Sequence, residues 1–239
     1  MKVSILIPVY NEINLLGEVL ERVFAAPLPP GCEREVIVID DGSTDGTPEL
    51  LARCAGLHPF RSLRSEVNHG KGHALRLGIE HAGGDIILVQ DGDLEYDPRD
   101  YVRLIEPILE GRSTVVYGSR FLRGPGPMRW ANRIANRLLT LAANLLFDAR
   151  ITDEATAYKA FRADVLKSIP LSCRRFEFCP EVTAKVRRLG HGILETPISY
   201  NPRKVLEGKK IRWHDGVMAL WTLVKWRFAP LPRRVGGAR

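Results

Sequence analysis

Two carboxylates separated by one glycine, Asp91-Gly92-Asp93, follow an apolar run, and Glu95 adds a third acidic side chain two residues later. Mg²⁺ or Mn²⁺ is commonly held by one or two carboxylates, with phosphate oxygens and water completing its shell. The segment therefore suits a divalent cation that carries a phosphorylated ligand. A solvated Asp-Gly turn at a strand end explains the same residues, so the tripeptide alone does not choose.

A longer acidic segment, DDGSTDGT at residues 40–47, also follows an apolar run. Its carboxylates could accept hydrogen bonds from a base or a ribose, and the helix beyond it could favour a phosphate at its N-terminus. We expect Thr47 to be the N-cap of that helix, because Pro48 suits the first turn. The other interpretation is a capping and turn segment.

A lysine flanked by glycines, Lys71, precedes a predicted helix in the segment NHGKG at residues 68–72. This arrangement is typical of a backbone that cradles an anion. The spacing is not that of a Walker phosphate loop, and the absence of GxGxxG disfavours a dinucleotide dehydrogenase. We expect His69 and His73 to be structural.

Alternating strands and helices would bring these segments to one edge of a sheet. Apolar runs predict strands at residues 3–9, 36–39, 60–63, 86–90 and 114–117, and helical patterns predict helices at 15–23, from 47, at 72–82 and at 98–108. This alternation is typical of an α/β fold with a doubly wound, mostly parallel sheet. Ligands bind at the carboxyl ends of such strands, and the polar segments fall there.

The second half of the chain changes character. It predicts a mobile loop at residues 124–127, helices at 129–147, 180–189 and 213–228, and a strand near 193–200. The first and last of these helices carry apolar stripes edged by basic residues, which is typical of helices that lie on anionic lipid. Ordinary packing against the protein explains the same patterns. No run of about 18 apolar residues occurs, so we predict no membrane span.

The charge balance, 35 basic against 28 acidic residues, gives a formal charge of +7 and indicates acidic partners. Phosphates, anionic lipid and nucleic acid all qualify. No nucleic-acid recognition motif is present, so we expect no nucleic-acid partner. The four cysteines show no pairing or zinc-ligand spacing, and we expect reduced thiols.

Taken together, the motifs resemble those of family-two glycosyltransferases of GT-A fold, and within them the dolichol- and polyprenyl-phosphate mannosyl- and glucosyltransferases. The resemblance runs in order along nearly the whole chain and is specific as a set. Its segments are IPVYNE (7–12), VIDDGSTDGT (38–47), NHGKG (68–72), DGD (91–93), GSR (118–120), DEATAYKAFR (153–162) and the basic stretch from residue 195 to 213, with Pro197, Arg203, Gly208, Lys209, Lys210 and Trp213.

The resemblance implies a role for each matching position. Asp93 would be the principal metal ligand, with Asp91 near the ribose or diphosphate and Glu95 as a second metal contact where the mannosyl enzymes usually have Gln. The residues bordering the nucleotide-sugar would be Pro8, Tyr10, Glu12, Asp41 and Lys71. The cations facing donor or acceptor phosphates would be Arg120, Arg203 and Lys210. The family's short Gly-Phe-Arg element reads Ala157-Tyr158-Lys159 here.

The implied reaction moves a hexose, mannose or glucose, from a GDP- or UDP-linked donor to a polyprenyl or dolichyl phosphate, with inversion. A metal together with Lys and Arg would stabilise the leaving diphosphate. A lipid monophosphate, with a second pKa of about 6, arrives largely deprotonated and needs no general base. An alcohol acceptor would need one, with Asp153 or Glu181 as candidates.

Two alternatives stay open: transfer to a saccharide hydroxyl in cell-envelope polysaccharide synthesis, and a nucleotide-binding module without catalysis. The resemblance implies one GT-A domain at residues 1–228, with a nucleotide-sugar half (1–120) and an acceptor half (121–228), followed by a flexible basic tail (229–239). We expect a cytoplasmic protein attached peripherally to the anionic inner face of the membrane.

Overall fold

The computed structural model describes residues 1–124, 128, 130–202 and 213–231. Arg203, Lys210, residues 125–127 of the predicted mobile loop and residues 232–239 of the predicted tail lie outside this part of the chain.

Seven strands and eight helices make up the described fold. The strands are β1 (Lys2–Val9), β2 (Glu33–Asp40), β3 (Phe60–Arg64), β4 (Ile86–Val89), β5 (Val115–Ser119), β6 (Lys159–Arg162) and β7 (Leu194–Pro197). The helices are α1 (Leu16–Ala25), α2 (Thr47–Cys54), α3 (Lys71–His81), α4 (Tyr101–Leu109), α5 (Trp130–Phe147), α6 (Ala163–Ser168), α7 (Phe178–Arg188) and α8 (Trp213–Phe228), and a 3₁₀ turn (Pro98–Asp100) precedes α4.

The strands form one mostly parallel sheet in the order β3-β2-β1-β4-β6-β5-β7. β1 pairs in parallel with β2 and β4, β2 with β3, and β5 with β7. Helices cover both faces of the sheet. Successive side chains of a strand point to opposite faces, so each inner strand contributes to two cores. On β1, Leu6 faces a core that includes α3, α5 and α7, whereas Ile5 and Ile7 face a core that includes α1 and α4. The predicted doubly wound, mostly parallel α/β architecture is confirmed.

β6 is a strand that the sequence analysis missed. It runs antiparallel between β4 and β5, with Ala160 opposite both Leu88 and Val116. The strand has four residues and begins and ends with a cation, so it shows neither an apolar run nor an alternating pattern. The six-residue α6 follows it directly and was missed as well.

The predicted N-cap of α2 is wrong. Thr47 is the first helical residue, and Gly46 precedes it. Asp45 Oδ1 instead accepts from the Thr47 N–H at 2.9 Å, and Thr47 Oγ1 accepts from the Glu12 N–H at 3.0 Å. The hydroxyl expected to cap α2 therefore ties the helix to the loop after β1.

α5 and α8 each bury one face and expose the other. The inner positions are Leu139, Ala143 and Phe147 on α5 and Ala219, Leu223 and Trp226 on α8. Lys185 of α7 places its ammonium 3.5 Å from the centroid of the Trp226 ring, and Arg188 donates to the Trp226 carbonyl at 2.7 Å. α8 is thus fastened to the protein by its own contacts. None of the helices in the described part of the chain is both long and apolar enough to cross a bilayer.

Candidate active site

The acidic loop after β4 rests directly on the end of β1. A Cβ on Gly92 would lie 2.7 Å from Val9 Cγ1 and 3.2 Å from the Pro8 carbonyl oxygen, so only glycine permits this approach. The register pairs Val9 with Asp40, so the ends of β1 and β2 lie level. The polar segments that follow β1, β2 and β4 therefore meet at the carboxyl edge of the sheet, as predicted.

The carboxylates of the DDGSTDGT segment are directed at the protein's own backbone. Asp40 Oδ1 accepts from the Ser43 N–H at 2.9 Å. Asp41 is buried, and its Oδ2 accepts from the N–H groups of His69 at 3.1 Å and Gly70 at 2.5 Å. These bonds agree with the capping and turn interpretation of the segment. Contact between Asp41 and a nucleoside stays a prediction.

Two backbone N–H groups of the anion cradle expected at the start of α3 are paired within the protein. The Gly72 N–H donates to the Arg175 carbonyl at 2.8 Å, and the His73 N–H donates to the Arg174 carbonyl at 2.9 Å. A helix N-terminus binds an anion through unpaired N–H groups, and these two are already paired. The segment instead joins the first half of the chain to the loop before α7.

Lys71 reaches across to the acidic loop. Its ammonium forms a hydrogen-bonded ion pair with Asp91 Oδ1, and the two side chains are 22% and 20% exposed. Burial alone would lower the pKa of Lys71, but the nearby acidic groups, Asp91 first among them, raise it. The lysine therefore stays charged beside the carboxylate predicted to meet the ribose or diphosphate.

Asp93 and Glu95 lie on the same loop with different partners. Asp93 is nearly buried, and its Oδ1 accepts from the Glu95 N–H at 3.0 Å. Glu95 Oε2 accepts from the Tyr200 hydroxyl at 2.9 Å. Burial raises the pKa of Tyr200 well above its ordinary value, and Glu95 adds to that shift. Tyr200 therefore remains a neutral donor that fixes the Glu95 carboxylate.

Arg120 is locked in place at the end of β5. Its Nε and Nη2 donate to the two carboxylate oxygens of Asp153, each at 2.7 Å, and Asn136 of α5 donates to the same carboxylate at 2.9 Å. The guanidinium lies 5.0 Å from the centroid of the Tyr200 ring. A two-pronged pair of this kind fixes both distance and orientation. Tyr200 therefore contacts both Arg120 and Glu95, and it links the Arg120 guanidinium to the acidic loop.

Neither carboxylate considered as a general base is suited to that role. Asp153 is fully buried and is committed to Arg120 and Asn136. Glu181 is buried on α7, where Oε1 accepts from the Ser172 N–H at 2.8 Å and pairs with the Lys185 ammonium. A base must reach the proton that it removes, and both groups are enclosed in ion pairs.

The acidic loop fits a divalent cation that arrives with its own oxygen ligands. Among the described residues, no three His, Cys, Asp or Glu side chains converge on one point as a ready-made metal site. Carboxylate oxygens are nevertheless the donors that Mg²⁺ and Mn²⁺ prefer, and one or two suffice when phosphate supplies the rest. Asp93, with Asp91 or Glu95, meets that requirement.

A buried polar cluster next to Asp153 was not anticipated. Glu154 is fully buried, and neither carboxylate oxygen has a partner in hydrogen-bonding geometry among the described residues. Burial raises the pKa of Glu154 from 4.5 to about 8, although Lys159 and Thr183 oppose that shift. The Lys159 ammonium donates to the Glu154 carbonyl at 2.9 Å and lies 3.7 Å from the centroid of the Tyr117 ring. The available sequence signal was Lys159, a cation that stands between Tyr158 and the apolar pair Ala160-Phe161.

Pro8, Tyr10 and Glu12 lie at the end of β1, beside this edge of the sheet. The Glu12 backbone bonds Thr47 and begins the turn before α1, with its carbonyl accepting from the N–H groups of Leu15 and Leu16 at 3.1 and 3.0 Å. The structure thus places nine of the eleven predicted site residues along one edge, and Arg203 and Lys210 are the two outside the described part of the chain.

Comparison with known sequences gives consistent relatives. The dolichol-phosphate mannosyltransferase of Pyrococcus furiosus is 29% identical over 234 residues, which cover 95% of this chain and 64% of that protein. The undecaprenyl-phosphate mannosyltransferase of Micrococcus luteus is 31% identical over 219 residues, which cover 87% of each. The chain spans less than two thirds of the length of several relatives, the Pyrococcus protein among them.

Solved structures share the architecture. The glucosyl-3-phosphoglycerate synthase of Mycobacterium tuberculosis, solved with Mn²⁺, UDP and phosphoglyceric acid, superposes with a TM-score of 0.72. It is 23% identical, and the match covers 96% of this chain and 79% of that one. This likeness confirms the predicted GT-A fold. The family model described as Glycosyl transferase family 2 matches residues 4–169, well over half of the sequence, and the chain therefore belongs to that family.

Proposed function

We propose that this protein is an inverting, metal-dependent glycosyltransferase that moves a hexose, mannose or glucose, from a GDP- or UDP-linked donor to a polyprenyl or dolichyl phosphate. The observation that carries the proposal is the acidic loop, residues 91–95, flanked by Lys71 and Arg120 at the carboxyl edge of the sheet. This pairing of acidic and cationic groups suits a metal-bound diphosphate. Relatives named for transfer to lipid phosphates support the same acceptor class.

In this proposal Asp93 holds Mg²⁺ or Mn²⁺ together with Asp91 or Glu95. The metal, when bound, withdraws charge from the leaving diphosphate. Among the described residues, Asp153 bonds the Nε and Nη2 groups of Arg120, and in this proposal the Nη1 N–H groups donate to a phosphate oxygen. Pro8, Tyr10, Glu12 and Asp41 border the nucleoside, and Arg203 and Lys210 extend the cationic side toward the acceptor.

The two enclosed carboxylates favour a phosphate acceptor over a hydroxyl acceptor. Asp153 and Glu181 are both buried in ion pairs, so neither can take a proton from a bound alcohol. A phosphate monoester brings an oxygen that is already largely deprotonated.

We also infer that residues 1–228 act as one domain. In this proposal residues 1–120 bind the donor and residues 121–228 receive a lipid phosphate.

The outer faces of α5 and α8 provide a surface for the membrane that holds such a lipid. The exposed apolar residues are Trp130, Ile134, Leu138, Leu141 and Leu145 on α5 and Val217, Leu220, Trp221, Val224 and Phe228 on α8. The basic residues Arg133, Arg137, Lys225 and Arg227 belong to the same two helices. A broad apolar surface with basic edges suits anionic lipid. We propose peripheral attachment to the inner, cytoplasmic face of the membrane.

Transfer can be tested with labelled GDP-mannose and UDP-glucose against polyprenyl phosphate, with Mg²⁺ or Mn²⁺. We expect label to enter the organic phase with one donor and to remain aqueous when the metal is chelated. Transfer only to a saccharide hydroxyl, or nucleotide binding without transfer, would support the alternatives. An α-linked product from an α-linked donor would contradict inversion.

A further inference from the structure

The Lys71 ammonium provides a positive charge at the acidic loop. It is the first residue of α3, and its stem carries the ammonium to Asp91, two residues beyond the end of β4. Both side chains are about four-fifths buried, so the pair is less screened by water than a surface ion pair. The structure thus contains an internal positive charge on a carboxylate that is predicted to meet the metal–diphosphate group.

The neighbouring acidic side chains are held differently. Asp93 Oδ1 accepts from a backbone N–H, and Glu95 Oε2 accepts from the neutral Tyr200 hydroxyl. These bonds orient the two carboxylates. Asp91 is instead neutralised by the Lys71 ammonium, so a divalent cation arriving alone must displace a lysine to reach it.

We propose that Lys71 is an internal counterion that competes with the divalent cation for Asp91, so that the metal and the nucleoside diphosphate bind cooperatively. This inference rests on the proposed function, because it requires a diphosphate at the acidic loop. Lysine suits the role, since its ammonium is a compact charge on a flexible stem of four carbons.

The coupling follows from charge balance. Metal alone gains Asp91 only by leaving the largely buried Lys71 ammonium without its partner, which is costly. A diphosphate arriving with the metal offers Lys71 new oxygen acceptors, so the lysine can transfer from Asp91 to the diphosphate as the metal takes its place. Each ligand then raises the affinity of the site for the other by the same factor.

Mn²⁺ binding measured by the free-ion EPR signal and by calorimetry tests this proposal without any turnover. Titrations of the full chain are run with Mn²⁺ alone and with saturating UDP or GDP, after correction for Mn²⁺ bound by the nucleotide in buffer. We expect the diphosphate to tighten Mn²⁺ binding by about 5- to 150-fold. Lys71→Met should bind Mn²⁺ alone about fivefold or more tightly than the wild type, and its coupling factor should fall.

Lys2→Met is the matched control, because Lys2 also pairs with a carboxylate, Glu35, but at the opposite edge of the sheet. It removes the same charge and should leave Mn²⁺ binding unchanged. An Mn²⁺ affinity of Lys71→Met equal to that of the wild type would overturn the proposal. Lys71→Gln provides a second variant if circular dichroism shows that Lys71→Met is unfolded.

The wild type alone can also overturn the inference, if it binds Mn²⁺ as tightly without nucleotide as with it. Failure of the proposed function looks different. In that case the wild type binds neither UDP nor GDP, whether or not Mn²⁺ is present. Nucleotide binding with a coupling factor that does not depend on Lys71 rejects the counterion role and leaves the proposed function standing.

Discussion

At the scale of single residues, Asp93 is the side chain on which the proposed chemistry depends most. Asp93→Ala removes the proposed principal metal ligand and one hydrogen bond from the Glu95 N–H. We expect transfer to fall by about 100-fold or more, while the melting temperature changes little, because the residue lies in a loop at the sheet edge. Labelled-sugar transfer and thermal unfolding measure the two effects.

Asp164→Ala is the control for that variant, since Asp164 is an exposed aspartate paired with Arg162 away from the site. It should retain wild-type transfer. Turnover by Asp93→Ala at the control's level would remove Asp93 from the proposed mechanism.

Glu154 predicts a pH dependence of stability. Its folded-state pKa of about 8 lies above its ordinary value of 4.5, so the folded protein holds a proton that the unfolded chain has lost. The contribution of this group to stability is complete below the ordinary value and is lost as the pH rises toward 8, at up to about 1.4 kcal/mol per pH unit. Glu154→Gln should remove that loss, so its melting temperature should fall less between pH 5 and pH 8 than the wild type's.

Glu110→Gln tests whether the pH dependence of stability arises from the burial of the Glu154 carboxylate. Glu110 is an exposed carboxylate that pairs with Arg112 on the surface. Its variant should follow the wild-type profile over the same pH range. Parallel profiles for Glu154→Gln and the wild type would show that Glu154 is already ionised in the folded protein.

The motifs could be located from the sequence at this scale, but their partners could not. Asp91, Asp93 and Asp41 were predicted at the carboxyl edge, because each follows an apolar strand. The partners of Asp91, Asp41 and Glu95 lie 20, 28 and 105 positions away, at Lys71, His69 and Tyr200. Whether Asp41 faces a ligand or a backbone N–H is decided by that long-range packing, which local sequence does not encode.

At the scale of elements, the start of α3 is where the two halves of the chain are joined. A Cβ on Gly72 would lie 2.9 Å from the Arg175 carbonyl oxygen, and the Gly72 N–H donates to the same atom. Gly72→Ala should therefore push the loop before α7 away and destabilise the protein by about 1–3 kcal/mol. Urea denaturation followed by circular dichroism measures the loss.

Gly216→Ala is the matched control within a helix. Among the described residues, no atom outside the adjoining backbone of α8 lies within 4 Å of the position that its Cβ would take. Alanine there reduces the freedom of the unfolded chain without a clash, so we expect a gain of about 0.4–1 kcal/mol. Equal effects of the two substitutions would mean that the contact at Gly72 does not constrain the fold.

The elements themselves were predictable wherever one strong pattern decided them. β1, β2 and β4 each contain a run of at least four apolar residues, and their predicted bounds differ from the observed ones by a few residues at most. β6 is short and begins and ends with a cation. It forms a strand because its backbone pairs with both β4 and β5. Tertiary pairing of this kind overrides weak local preference.

At the scale of the whole molecule, the proposed donor site and the apolar face of α5 and α8 belong to one folded unit. Asn136 of α5 bonds Asp153, which in turn holds Arg120 at the site. Lys185 and Arg188 fasten α8 to α7. A membrane docked on this face would therefore lie at a fixed distance from the donor, which suits an acceptor whose phosphate stays at the bilayer surface.

The apolar face predicts binding to anionic vesicles. Replacing exposed Leu138 of α5 and Trp221 of α8 by Glu adds negative charge and removes apolar area on both helices. We expect co-sedimentation with vesicles containing phosphatidylglycerol to be lost, because both the apolar and the electrostatic parts of the attraction are weakened. Wild-type binding should also weaken as salt is raised, since salt screens the basic residues.

Leu57→Glu separates this surface from apolar exposure in general. Leu57 is among the most exposed leucines but lies after α2, on another part of the molecule. Its variant should bind vesicles as the wild type does and should retain transfer to polyprenyl phosphate. The Leu138→Glu/Trp221→Glu protein should keep nucleotide binding while losing transfer to acceptor in vesicles, because only its access to the lipid is changed. Vesicle binding by that double variant at the wild-type level would show that the face contacts something other than a membrane.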